Sequence, residues 1–202
     1  MGYSKSELFS WLQGADFYRD LHLDAIELLP SGEGRVWIEF GCGPGLFTRL
    51  AAVKGYSATG IDNDPSMLRE ARRIAKSEGS SAVFENGDVF QNRPQSADVV
   101  VASSLLAVLD DKEGGFNALL RVVNPGGSLL IVEPTERMTT HYAENLIQKG
   151  LGGKRIDGLR IWSRARAGHA IDPEILMTGA GQRVTFTPLL GGLVGAWLFQ
   201  MA

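Results

Sequence analysis

Residues 36–47 read Val-Trp-Ile-Glu-Phe-Gly-Cys-Gly-Pro-Gly-Leu-Phe. An apolar stretch runs into Glu39 and then into three glycines at alternating positions, Gly41, Gly43 and Gly45. A strand that ends in a glycine-rich turn, with a helix following, is a cradle for a nucleotide-like ligand. Glycine lets the backbone turn tightly and approach the ligand, and the helix N-terminus offers N–H groups that lack partners. The spacing narrows the ligand. A dinucleotide fingerprint is G-x-G-x-x-G, but here the third glycine comes one residue early and Leu46 fills the fingerprint position. Glu39 has no part in that pattern either, so nicotinamide chemistry is disfavoured.

Carboxylates and hydroxyls recur downstream at Asp62, Asp88 and Ser103, and the elements between them determine whether they meet. Residues 5–29 read as helical with a break near Gly14, and Phe17, Leu21, Ala25 and Leu28 form one apolar stripe. Pro30 to Gly34 is a turn cluster. Strands are then expected at 35–40, 57–62, 81–85, 97–102 and 128–133. Helices are expected at 46–54, from Pro65 to about Ser77 behind an Asp64 cap, and at 112–123, with Asn124 to Gly127 as a turn. The run 97–102 is apolar throughout, as a strand buried on both faces requires. This alternation predicts an α/β fold with a doubly wound, mostly parallel sheet. Ligands bind such sheets beyond the carboxyl ends of the strands. Glu39, Asp62, Asp88 and Ser103 all fall at or just past such ends, so four segments converge on one rim. Beyond Glu133 the pattern changes: a helix at 137–149, a glycine-rich basic stretch at 150–171, a short helix at 173–179, and apolar runs at 182–187 and 193–200 that read as a hairpin.

Glu39-x-Gly41-x-Gly43-x-Gly45 resembles the first motif of the class I S-adenosylmethionine (SAM)-dependent methyltransferases, small-molecule type. Gly60-Ile-Asp62-Asn63, Asn86-Gly-Asp88-Val89, Asp98 to Ser103 and Asn124 to Glu133 resemble the later motifs in order. The resemblance implies a seven-stranded sheet closed by a C-terminal antiparallel hairpin, in a single domain over 1–202. A helical lid would occupy 1–29 and an acceptor-side insertion 134–180. It implies SAM as cofactor, with Glu39 and the Gly41, Gly43 and Gly45 turn at its methionine end. Asp62 would hold the ribose hydroxyls, with Asn63 and Pro65 near the adenine face. Asp88 would meet the adenine amine and the Val89 N–H a ring nitrogen, while the Ser103 carbonyl would accept from the ammonium. Cys42 belongs to this turn as a small filler rather than a nucleophile.

The segment after Val101 excludes several acceptor classes. It reads Ala-Ser103-Ser104-Leu-Leu, without the Asn/Asp-Pro-Pro-aromatic motif of nucleobase amine methylation. A cysteine nucleophile is missing there, as are a carboxylate cluster for Mg²⁺ and any other set with metal-ligand spacing. A paired-glutamate loop of the protein-arginine type is also absent.

The chain has 202 residues, a net charge of −3, and 44% hydrophobic and 21% charged residues. Nothing in this balance points to nucleic acid or to membrane. One cysteine, Cys42, cannot form an internal disulfide. No apolar run reaches the roughly 18–20 residues a bilayer span needs, and the N-terminus lacks a signal-peptide core, so a cytoplasmic location is expected.

The methyl acceptor must be read from 1–29 and 134–172. Between 149 and 169 stand six basic residues (Lys149, Lys154, Arg155, Arg160, Arg164 and Arg166) against Asp157. That is a net +5, with −8 left for the rest of the chain. Arginine forks suit carboxylate or phosphate, so Arg160, Arg164 and Arg166 with a nearby Trp162 point to a small anionic acceptor; the bland alternative is a solvated loop. The candidate catalytic residues are His141 with Tyr142, and then Tyr18 with His22, one helical turn apart. Two other readings stand beside small-molecule transfer. One is phospholipid headgroup N-methylation at a membrane surface, and the other is SAM binding without catalysis. The sequence leaves the oligomeric state open.

Overall fold

The computed structural model describes residues 5–91, 96–177 and 183–202. Seven strands form one sheet: β1 Val36–Phe40, β2 Ser57–Asp62, β3 Val83–Asn86, β4 Ala97–Ser103, β5 Val123–Pro134, β6 Arg183–Leu189 and β7 Val194–Gln200. Their order is β3-β2-β1-β4-β5-β7-β6. The first five run parallel, and β7 lies antiparallel between β5 and β6. The winding reverses between β1 and β4, which is where such sheets open a crevice at the carboxyl ends of their strands. The helices are α1 Lys5–Gln13, α2 Asp16–Ile26, α3 Leu46–Val53, α4 Pro65–Glu78, α5 Lys112–Leu120, α6 Thr140–Gln148 and α7 Asp157–Arg166.

Strand alternation divides the core. On one face Trp37, Val99, Val101, Leu130 and Val132 pack beneath residues of α2, α3, α6 and α7. On the other, Ile38, Phe40, Val100, Leu129 and Ile131 pack with residues of α5. Both faces of β4 are covered, as its unbroken apolar run requires. Local chemistry sets the ends of α4: the Asp64 carboxylate accepts from Ser66 N at 2.8 Å, Pro65 opens the helix, and Gly79 closes it in the left-handed region.

Three expectations change. Helix α5 ends at Leu120, and Val123 already pairs with Ala97 as the start of β5. The Asn124 to Gly127 turn is therefore an interruption within β5, across which the register with β4 shifts. The basic stretch 150–171 is no solvated loop. It contains α7, whose buried residues Gly158, Leu159, Trp162 and Ser163 recur with helical period. The short element at 173–177 is a 3-10 turn. Positions 1–4 of the expected lid, 178–179 of the expected short helix and 182 of the expected hairpin lie outside the described residues.

Candidate active site

The glycine turn follows β1. Gly45 caps α3 with φ +80°, and a Cβ there would lie 2.4 Å from the Phe84 ring. Only glycine satisfies both conditions. Gly43 also has positive φ, +52°, but a Cβ there would meet only Gln13 Nε2, at 3.8 Å. Its bareness keeps open the space above the turn. The thiol of Cys42 is buried under the turn, and burial, followed by the charges of Glu39 and Asp62, raises its pKa.

Asp62, at the end of β2, organises this corner. One carboxylate oxygen accepts from Gly43 N at 2.8 Å and the other from Asp64 N at 2.8 Å. Each oxygen keeps lone-pair capacity for a further donor. Asn63 donates to Asp88 at 3.3 Å, and Asp88 also accepts from Phe90 N at 2.8 Å. Glu39 lies buried below the turn and accepts from the Thr48 hydroxyl of α3. Burial pushes its pKa up to about 8, with the Thr48 bonds pulling the other way.

Across the crevice, α2 brings Tyr18 and His22 together. His22 is 2% exposed and sits 4.6 Å from the Tyr18 ring and 4.8 Å from the Phe47 ring, measured between centroids. Nδ1 lies 2.7 Å from the Tyr18 carbonyl, which can only accept, so Nδ1 carries the proton. Nε2 is then the bare nitrogen, and the Ser103 hydroxyl donates to it at 3.1 Å. Burial lowers the His22 pKa to about 4, so the ring is neutral at neutral pH. Burial likewise raises the Tyr18 phenol well above its ordinary value, against the pull of Arg166.

Arg166, the last residue of α7, borders the same cavity. Among the described residues its buried Nε has no hydrogen-bond partner. The remaining carboxylate is Glu133, fully buried at the end of β5. It accepts from Leu106 N at 2.7 Å and Ala107 N at 3.4 Å, and so holds the 3-10 turn after β4. Burial lifts its pKa to about 8, with the Leu106 and Ala107 N–H bonds and the Arg166 charge opposing.

A cavity of about 280 Å³ opens at the carboxyl rim of the sheet, with Glu133 outside its lining. Its lining includes Glu39, Gly41, Cys42, Gly43, Asp62, Asn63, Asp88, Val89 and Ser103 from the expected cofactor set, and Tyr18 and His22 from the expected catalytic set. Gly45 stands outside that lining and shapes the turn from behind.

His141 and Tyr142 are elsewhere. Helix α6 turns Ala143, Leu146 and Ile147 toward the core. His141 is left exposed, its Nε2 accepting from Asn145 at 3.1 Å, and Tyr142 is 46% exposed. Neither borders the cavity. Of the three arginines, Arg160 is engaged by Glu144 at 2.5 Å and Asp157 at 2.6 Å, and Arg164 is exposed on the far side of α7. Only Arg166 reaches the cavity. Trp162, expected to join these arginines in acceptor recognition, is 4% exposed and packs its ring 5.1 Å from that of Tyr18.

Gln13 was not legible as a site residue. Its side-chain oxygen accepts from Leu46 N, the first N–H of α3, at 3.1 Å, which latches α1 to the glycine turn. The available signal was its place one turn after Phe9, on the same helix face. Among the described residues no group of three or more His, Cys, Asp or Glu is placed to hold a metal ion, and no helix is long and apolar enough to cross a membrane.

Residues 38–131 match the family model described as a methyltransferase domain. Among curated proteins, the chain is 36% identical over 100 residues to trans-aconitate 2-methyltransferase of Klebsiella pneumoniae, covering 48% of this chain and 38% of that protein. It is 28% identical over 99 residues to ubiquinone biosynthesis O-methyltransferase of Pseudomonas savastanoi, covering 48% and 43%. The matches thus span less than half the length of these relatives. Among solved structures, a SAM-dependent methyltransferase from Aquifex aeolicus superposes with TM-score 0.68 at 15% identity over 100% of both chains. The N-methyltransferase NodS of Bradyrhizobium japonicum, in complex with S-adenosyl-L-homocysteine (SAH), superposes with TM-score 0.65 at 17% identity over 98% of this chain and 93% of that one. The seven-stranded sheet with its antiparallel closing pair is the fold they share with this chain.

Proposed function

We propose, for a chain that carries a class I SAM-dependent methyltransferase domain, that the rim cavity binds SAM and that the chain moves its methyl group to a small anionic acceptor held near Arg166. The supporting observation is the composition of one cavity. The glycine turn, Asp62 and Asp88 form one wall, and Tyr18, His22 and Arg166 stand at the other.

The residues fit the cofactor. The bare Gly43 surface leaves room for a ligand beside the backbone, Asp62 keeps acceptor capacity for two hydroxyls, and Asn63, Asp88 and Val89 offer polar atoms for a purine edge. Glu39 suits a cationic amino-acid end: a positive charge above it draws off the proton that burial retains. Ser103 lies at the same end. When bound, SAM supplies a methyl carbon activated by a sulfonium.

What remains for the protein is alignment and exclusion of water. Arg166 supplies a cation whose Nε has no hydrogen-bond partner among the described residues, which suits a carboxylate. Because His22 stays neutral, it adds no repulsion toward a sulfonium. An acceptor atom that carries a proton would lose it to the Ser103 hydroxyl, which donates to Nε2 of His22 and would hand its own proton on to that nitrogen; a carboxylate acceptor needs no base. The Tyr18 carbonyl gives the ring of His22 a fixed backbone partner. A cytoplasmic location accords with this chemistry.

The test is labelled-methyl transfer from SAM to a panel of small acids, neutral analogues and amines. Label should enter the acids preferentially. Arg166→Met should raise the acceptor KM about 10- to 100-fold while SAH affinity holds, the effect of losing a charge-assisted hydrogen bond. Equal transfer to neutral analogues with no response to Arg166→Met contradicts the anionic acceptor.

A further inference from the structure

A second cavity of about 70 Å³ opens between α1 and α7. Trp11 and Leu12 form one wall, and Ile161, Trp162 and Ala165 the other. Its surface is almost wholly apolar, and it shares Phe9 and Arg166 with the rim cavity. The guanidinium with the unpartnered Nε therefore stands at the junction of a polar chamber and an apolar groove. The groove has a closed end and an open one: Leu12 and Trp162 are buried, whereas Ile161 is 47% exposed. It is also built firmly. Arg155 donates to the Trp11 carbonyl at 2.6 Å and lies over the Trp11 ring, and Trp162 packs on Phe17 and Tyr18.

We infer that the acceptor is an amphipathic carboxylate, its acid group on Arg166 and a short apolar arm in the groove between α1 and α7. This rests on the methyl-transfer reading and adds the shape of the acceptor to it. A carboxylate bound at Arg166 has water-excluding surface on one side and the rim cavity on the other. The carbon chain leaving the acid is directed along Trp11 and Trp162, and the remaining end of the molecule faces His22. A free acid of this kind also accounts for a groove that is shallow and open at Ile161, where a longer chain runs out into solvent.

The experiment is a titration with straight-chain carboxylates from acetate to octanoate, followed by tryptophan fluorescence, with and without saturating SAH. Affinity should rise about three- to fourfold per methylene over the first few carbons, the effect of burying each group, and then level off. Ala165→Trp fills the groove from an exposed position and should flatten the series. Arg166→Met should weaken every member while leaving the slope. Ile161→Ser serves as a second groove variant and should reduce the gain of the longer chains. A flat series in the unaltered protein, or an unchanged slope in Ala165→Trp, overturns the inference. Calorimetry with SAH on the same samples reports on the cofactor site separately. SAH binding with a flat acid series refutes the groove alone, and a chain-length slope without SAH binding refutes methyl transfer alone.

Discussion

Two glycines two positions apart, Gly43 and Gly45, do different work, and substitution separates them. At Gly45 an added Cβ meets Phe84 at 2.4 Å under φ +80°, so Gly45→Ala combines left-handed strain with overpacking, together about 2–5 kcal/mol of stability. At Gly43 the space is open, so Gly43→Ala should cost only the strain, about 1–2 kcal/mol. Its methyl instead enters the ligand cavity, and SAH affinity should fall more than its stability loss explains. Urea denaturation paired with SAH titration checks both. The motif residues were legible because their roles follow from chain-local chemistry: a turn needing glycine, a carboxylate at a strand end. His22 was legible only as a pair with Tyr18, because the contacts that fix its tautomer come from a carbonyl one turn back and from Ser103, 81 positions away.

At the scale of elements, the strands, apart from the early start of β5, and the first four helices followed from hydrophobic period and turn chemistry. Helix α7 did not. Its arginines and flanking glycines drew the reading toward a solvated loop, while the stripe through Leu159, Trp162 and Ser163 carried the helical signal. The same charges misdirected the acceptor site toward Arg160, whose partner Glu144 lies on another helix. Likewise His141 could be placed outside the crevice only once the face of α6 was known. Leu159→Ala should therefore destabilise the protein by about 2–5 kcal/mol, because Leu159 is wholly buried. Arg164→Ala, on the exposed side, should stay within about 0.5 kcal/mol. Equal, small effects in denaturant titrations would mean that α7 is not part of the core.

For the molecule as a whole, the site imposes a pH dependence on stability. Glu39 and Glu133 have pKa values raised to about 8 from an ordinary 4.5, so their contribution is complete below 4.5 and lost as pH climbs through 8. His22 has a value lowered to about 4 from 6.5, so its contribution is complete above 6.5 and lost as pH falls through 4. Between pH 6.5 and 8, of these three, only the glutamates act, and stability should decline. Glu133→Gln, which keeps an acceptor for the Leu106 N–H, should remove about half of that decline. An undiminished slope would show that Glu133 does not titrate in this window.

The central claim is that one rim cavity, anchored by Asp62, holds the methyl donor. Calorimetric titration of SAH into the unaltered chain and into Asp62→Ala tests it most directly. One site per chain is expected, with affinity weakened about 10- to 100-fold by the loss of hydrogen bonds to a charged group, while Asp62→Ala remains folded by circular dichroism. Absence of binding to the unaltered chain, or equal affinity in the two proteins, would contradict the account.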